Sequence, residues 1–191
     1  MTDFCIDKLF PSNVIYKDYQ IENKDSVVDK AMEIINQLGE KPFYSPCVST
    51  VHTSKDLLNL DEFESIKKQI VETVTVFCDV HKIVTKDLQI KDAWLNYYNT
   101  NGYQDLHHHP DSMISGVYYI DGTETKDFIF QAPWYFHQPC FPEYSEVNIE
   151  NCCNVEYESV TGRCIVFMSH LMHRTLPAVK PRLSLSFNVR Y

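Results

Sequence analysis

Residues 183–191 read LSLSFNVRY, and their alternation sets the fold class. Successive side chains of an extended chain point to opposite faces. Leu183, Leu185, Phe187, Val189 and Tyr191 therefore share an apolar face, and Ser184, Ser186, Asn188 and Arg190 share a polar one. Working back along the chain, the runs 88–98, 113–120, 127–131, 155–160 and 163–169 are short, aromatic and β-branched, which predicts further strands. Between them, residues 132–154 (APWYFHQPCFPEYSEVNIENCCN) hold three prolines and no usable period, so they read as a long loop. Its aromatic residues Trp134, Tyr135, Phe136, Phe141 and Tyr144 argue against disorder and make 132–144 a lid candidate.

Upstream of residue 88 the pattern changes to helical spacing. Val27, Val28, Met32, Ile35 and Leu38 lie on one face of a helix over 26–38, with Gly39 as its natural stop. A second helix is expected from Asp61, where Asp61 and Glu64 resemble a capping box. Phe63, Ile66, Ile70, Val74 and Phe77 then form one apolar stripe. The expected architecture is mainly β with flanking helices, in a single domain over 1–191. Residues 1–87 give helical support and first strands, and 88–191 form the β core.

Composition narrows the partners. The 191-residue chain carries 17 Lys+Arg against 26 Asp+Glu, for a net charge of −9. Phosphate neutralisation needs a basic surface, so nucleic acid is disfavoured as a partner. No stretch is apolar enough to span a membrane and no secretory leader is visible, which leads to a cytoplasmic expectation. The seven cysteines show no CxxC spacing and read as free thiols in a reducing compartment, the adjacent Cys152–Cys153 pair included. Two clusters stand out: six of the eight histidines fall between His107 and His173, and all four arginines lie at or after Arg163.

The segment DLHHHPDSMISGVYYI, residues 105–120, carries His107-x-His109 and His109-x-Asp111 just before a predicted strand. SHLMHRTLP later supplies His170 and His173. Two ligands at i and i+2 plus a third from a distant strand can cap one face of an octahedral metal and leave the other face open, which suits non-haem Fe(II). His107, His109, Asp111 and His173 are the candidate ligands. One register takes His107 with His109; the other takes His109 with Asp111 as the carboxylate. His108 points the other way along an extended chain, His170 reads as a packing or supporting residue, and His137 as a loop residue. Arg182 and Ser184 sit at i and i+2 on the last strand, so one carboxylate can be held by both, with the guanidinium gripping it bidentately.

As an ordered set these motifs resemble the 2-oxoglutarate- and Fe(II)-dependent oxygenase superfamily, and within it the prolyl-hydroxylase-like group common in phage and bacterial genomes. The matching residues are Trp94-Leu-Asn96, Gly102-Tyr103, His107-His-His109-Pro110 and Ser115-Gly-Val-Tyr-Tyr119. They continue with Gly162, Phe167-Met-Ser169-His-Leu-Met-His173 and Arg182-Leu-Ser184-Leu-Ser-Phe-Asn188. The likeness covers about 88–191, with a weaker echo in LFPSNVIY. It implies a double-stranded β-helix (jelly roll), Fe(II) as metal, 2-oxoglutarate as co-substrate and dioxygen as the second partner. It further implies that Arg182 holds 2-oxoglutarate with help from Ser184, Tyr118 and Asn96, and that an unidentified substrate, a protein side chain or small molecule, is hydroxylated with release of succinate and CO2. No catalytic residue beyond the metal ligands is expected. Two other readings fit parts of the pattern: a cupin-like three-histidine metalloenzyme that does not use 2-oxoglutarate, and a non-catalytic β-sandwich binding module.

Overall fold

A computed structural model describes residues 10–38, 46–51, 53, 57–135, 137 and 140–191. In chain order it contains β1 (Val14–Asp18), α1 (Lys24–Asn36), β2 (Val48–Ser49), α2 (Glu64–His81), β3 (Gln89–Tyr98), β4 (Gln104–His107) and β5 (Ile114–Asp121). There follow β6 (Lys126–Gln131), β7 (Asn154–Glu158), β8 (Arg163–Met168), β9 (His173–Thr175) and β10 (Arg182–Arg190). Six strands form one antiparallel sheet in the order β1-β8-β5-β10-β3-β2, and four form a second in the order β4-β9-β6-β7. Two sheets closed face to face, with non-sequential neighbours in each, make a double-stranded β-helix.

The alternation in β10 decides what covers each face of the larger sheet. Leu183, Leu185, Phe187 and Val189 pack, with Tyr118, beneath Val27, Ala31 and Ile35 of α1 and Ile66, Ile70, Val74 and Phe77 of α2. Each Val, Leu, Ile or Phe among them contributes about 1.5–3 kcal/mol when fully buried, so this layer anchors the helices to the sheet. On the other face, Val117, Tyr119, Ile165 and Phe167 meet Phe128 and Phe130 of the smaller sheet, with Leu171 beside them. Arg182, Ser184 and Ser186 of β10 thus line the space between the sheets, while Arg190 at its end reaches the surface and pairs with Asp92.

The expected strands and both helices are present, with shifts at their ends. The Asp61–Glu64 capping box does not form: Asp61–Phe63 is a 3₁₀ turn, and α2 starts at Glu64 with no side-chain cap. Helix α1 runs two residues earlier than its apolar stripe indicates, and Gly39, Cys5 and Phe136 lie outside the described residues. β1 joins the larger sheet beside β8, where Arg163 clamps Asp18 with Nε and Nη2 at 2.6 and 2.8 Å. The segment 132–153 carries no strand or helix among its described residues; Phe141 packs with Trp134 and Tyr135 at ring separations of 6.2 and 5.6 Å. No described helix is long and apolar enough to cross a membrane.

Candidate active site

A narrow cleft opens between the sheets, and the three histidines and Arg182 share its lining. His107 ends β4 and pairs across the smaller sheet with His173 of β9. His109 lies just beyond β4, tied down by its backbone N–H to the Ser169 carbonyl at 3.0 Å. One ligand atom from each of His107, His109 and His173 lies within 4.8 Å of the others, the only such group of metal-ligating residues among the described ones.

The ring orientations follow from what each Nδ1 bonds. His107 Nδ1 donates to the Asp105 carbonyl at 2.8 Å, His173 Nδ1 to the Leu171 carbonyl at 2.8 Å, and His109 Nδ1 to Asn188 Oδ1 at 2.6 Å. A carbonyl oxygen can only accept, so in each ring Nδ1 carries the proton and Nε2 keeps its lone pair. Burial pushes all three imidazoles below the usual histidine range, His109 to about 4 and His173 far down, with the neighbouring rings pushing the same way. Three neutral imidazoles with fixed tautomers form a donor set suited to a divalent transition metal. Asn188 is itself fixed, because its Oδ1 also accepts from Ser115 Oγ, which bonds Ser169 Oγ.

Asp111 is not part of this group. It sits exposed in the turn before β5, where its backbone carbonyl accepts from Arg190. The His109–Asp111 register therefore does not assemble. His108, His137 and His170 are also exposed, which corrects the expectation of a packed or supporting His170.

Arg182 is 1% exposed, and a buried guanidinium without anionic company is costly. Its Nη1 pairs with Asp127, and the Tyr98 ring lies 4.2 Å from its central carbon. Arg182 Nε and Nη2 and Tyr119 Oη are buried without a hydrogen-bond partner. Such orphans are rare in folded proteins and mark a place for a missing partner. Nε and Nη2 form one edge of the guanidinium fork, the edge that matches two carboxylate oxygens. Ser184 pairs with both Asn96 and Tyr119 across the sheet, and with Ser186 it lines the cleft. Asn96 is buried and donates to Ser186 Oγ at 3.0 Å.

Tyr118 requires correction. It lies on the helix-facing side of β5, in the apolar layer under α1 and α2, and its hydroxyl donates to Gln69 of α2. Its neighbour Tyr119 is the one that lines the cleft, along with Tyr98. Sequence reasoning missed these two tyrosines, Asp127 and the role of Asn188. Gly116 also lines the cleft; a Cβ there would stand 2.2 Å from the Phe187 ring and 2.7 Å from the Ile165 carbonyl. None of the described residues of 132–153 lines the cleft. The loop does leave β6 after Gln131, next to Phe130, which pairs with His173, so it starts at the histidine end.

A family model described as "Putative 2OG-Fe(II) oxygenase" matches residues 92–188. Among solved structures, a Pseudomonas putida prolyl-4-hydroxylase superposes with a TM-score of 0.58 at 15% identity, covering 94% of this chain and 92% of that one. A viral collagen prolyl hydroxylase from Paramecium bursaria Chlorella virus-1, in its 2OG complex, gives 0.57 at 11% identity over 93% and 94%. HygX from Streptomyces hygroscopicus with nickel and 2-oxoglutarate bound gives 0.58 at 9% identity over 93% and 82%. No curated protein sequence matches the chain.

Proposed function

This chain belongs to the 2OG-Fe(II) oxygenase family, and on that premise we propose that it hydroxylates a protein side chain or small molecule, releasing succinate and CO2. Fe(II) and 2-oxoglutarate are its cofactors, and when both are bound they would activate dioxygen, one oxygen atom passing into succinate as CO2 leaves and the other into the hydroxylated C–H bond. His107, His109 and His173 hold the metal through Nε2, with Asp105, Leu171 and Asn188 fixing the rings through Nδ1. Arg182 receives the distal carboxylate of 2-oxoglutarate on its Nε–Nη2 edge, Tyr119 Oη adds a hydrogen bond, and Ser184 and Asn96 complete the polar floor. Val117, Phe128 and Phe167 wall the cleft with apolar surface that keeps water from the reacting centre. We place Tyr118 outside this machinery.

The observation that carries this reading is the unpartnered edge of a buried arginine in the same cleft as three neutral imidazoles. The substrate classes are suggested by the similar structures, two of which are named prolyl hydroxylases while HygX is also solved with hygromycin B bound. The net charge of −9 disfavours nucleic acid, and the cytoplasm is the proposed compartment. The test is anaerobic titration of the protein with Fe(II) and 2-oxoglutarate, followed by admission of air. A visible absorption band and then succinate are expected. Failure of both overturns the reading, and oxygen uptake independent of 2-oxoglutarate favours a three-histidine enzyme of cupin type instead.

A further inference from the structure

Asp127 opens the buried part of β6, 3% exposed and 55 residues from Arg182 in the chain. A carboxylate beside an arginine meant to attract an anion works against the attraction, so its presence calls for a reason. The hydrogen bonds supply one. Asp127 Oδ2 takes both the Arg182 Nη1–H and the Thr123 hydroxyl, the latter at 2.6 Å. Thr123 Oγ1 in turn meets Thr125 Oγ1 at 2.7 Å and Ser159 Oγ at 2.6 Å, and its backbone N–H donates to Ser159 Oγ at 3.2 Å. Asp127 is therefore held by a buried hydroxyl network reaching from the β5–β6 turn to the segment after β7.

An arginine fork offers two bidentate edges, one through Nη1 and Nη2 and one through Nε and Nη2. Asp127 takes an Nη1–H, and the edge on which both nitrogens are unpartnered is Nε–Nη2. The Tyr98 ring against the guanidinium face blocks rotation out of that plane. Resting on the proposed use of 2-oxoglutarate, we infer that Asp127 is a positioning residue for that co-substrate: it locks Arg182 by Nη1 so that a single edge meets the distal carboxylate. Position, more than net charge, then gives this site its grip.

The experiment measures calorimetric binding of 2-oxoglutarate and 2-oxobutyrate to the Ni(II)-loaded protein. The second probe shares the keto-acid end but has no distal carboxylate. Wild type binding 2-oxoglutarate no better than 2-oxobutyrate overturns the co-substrate reading itself, whatever Asp127 does. Given that preference, Asp127→Ala is expected to weaken 2-oxoglutarate about tenfold or more and leave 2-oxobutyrate unchanged, with Ni(II) affinity retained. Asp127→Asn keeps the acceptor for Nη1 and is expected to bind 2-oxoglutarate within about threefold of wild type, or more tightly. The inference fails if Asp127→Ala binds like wild type, if both probes weaken together, or if the folded Asn variant loses as much as Ala. Where Asp127→Ala does not fold, Thr123→Val replaces it, with a selective loss of about threefold expected and an unchanged preference overturning the inference.

Discussion

Asn188→Ala should weaken metal binding without touching a metal ligand. Asn188 Oδ1 accepts two hydrogen bonds, from His109 Nδ1 at 2.6 Å and from Ser115 Oγ at 2.8 Å. Removing the amide leaves the His109 ring free to turn and leaves its Nδ1–H unpaired in a mostly buried site. Losing the outer partner of a ligating histidine typically lowers metal affinity by about 10- to 100-fold, or about 1.4–3 kcal/mol. The two other histidines keep their own carbonyl partners, so the site is weakened and not abolished. Competition of Ni(II) or Zn(II) against a chromophoric chelator reads the change directly. Asn188→Asp keeps the acceptor and should restore most of the affinity. Unchanged affinity in Asn188→Ala, or equal loss in Ala and Asp, would refute the claim that this bond orients His109.

Arg182→Lys should weaken 2-oxoglutarate by about tenfold or more while leaving metal affinity nearly intact, because an ammonium cannot reproduce the planar fork; equal losses in a paired titration would contradict the role given to Arg182. Gly162 has φ +85° and its added Cβ would lie 2.0 Å from the Tyr19 carbonyl. Gly162→Ala should therefore cost about 1–3 kcal/mol in urea unfolding of the metal-free protein, with no change in metal affinity per folded molecule. For pH, the sign follows from the three imidazoles. Burial holds them below the unfolded value of about 6.5, His109 at about 4, so the unfolded chain binds more protons between those limits. The metal-free protein should lose stability as pH falls from about 6.5 towards 4; a melting temperature flat between pH 7 and 5 would contradict it.

The parts of the fold that repeat with a period are legible in the sequence. β10 alternates because one of its faces packs against helices and the other lines a polar cleft, so alternation alone groups Arg182, Ser184 and Asn188. β5 hides its faces. Residues 114–120 are buried on both sides, so no polar alternation distinguishes Tyr118 from Tyr119, and a slip of one residue exchanges them. The family resemblance suggests Tyr118, and no pattern in β5 redirects the choice to Tyr119. β4 and β9 are four and three residues long and carry two of the three clustered histidines, too short for any period to register. Asp127 leaves no signal at all, since a single acid at the head of a strand reads as surface until its partner, far along the chain, is brought beside it. The Asp61 capping box fails for a local reason: the chain enters α2 through a 3₁₀ turn.

The charge distribution of the cleft ties these residues together. With neutral imidazoles and a paired Arg182 and Asp127, the metal-free cleft has no net charge, in a chain that carries −9. A dicarboxylate is then drawn chiefly by the divalent metal, and Arg182 supplies placement at the far end. Two unit charges about 6 Å apart at an effective dielectric of about 20 repel by about 3 kcal/mol, an upper figure for what Asp127 subtracts from anion binding. Removing that charge while keeping the hydrogen bond should therefore act most visibly where no metal is present. Asp127→Asn is expected to raise the affinity of the metal-free protein for glutarate, which has two carboxylates and no keto group, by about tenfold. Calorimetry at constant ionic strength measures it, with Arg182→Lys in the same background abolishing the gain. Equal glutarate binding by wild type and Asp127→Asn would mean that Asp127 does not offset the charge of Arg182, and the neutral-cleft account would fall.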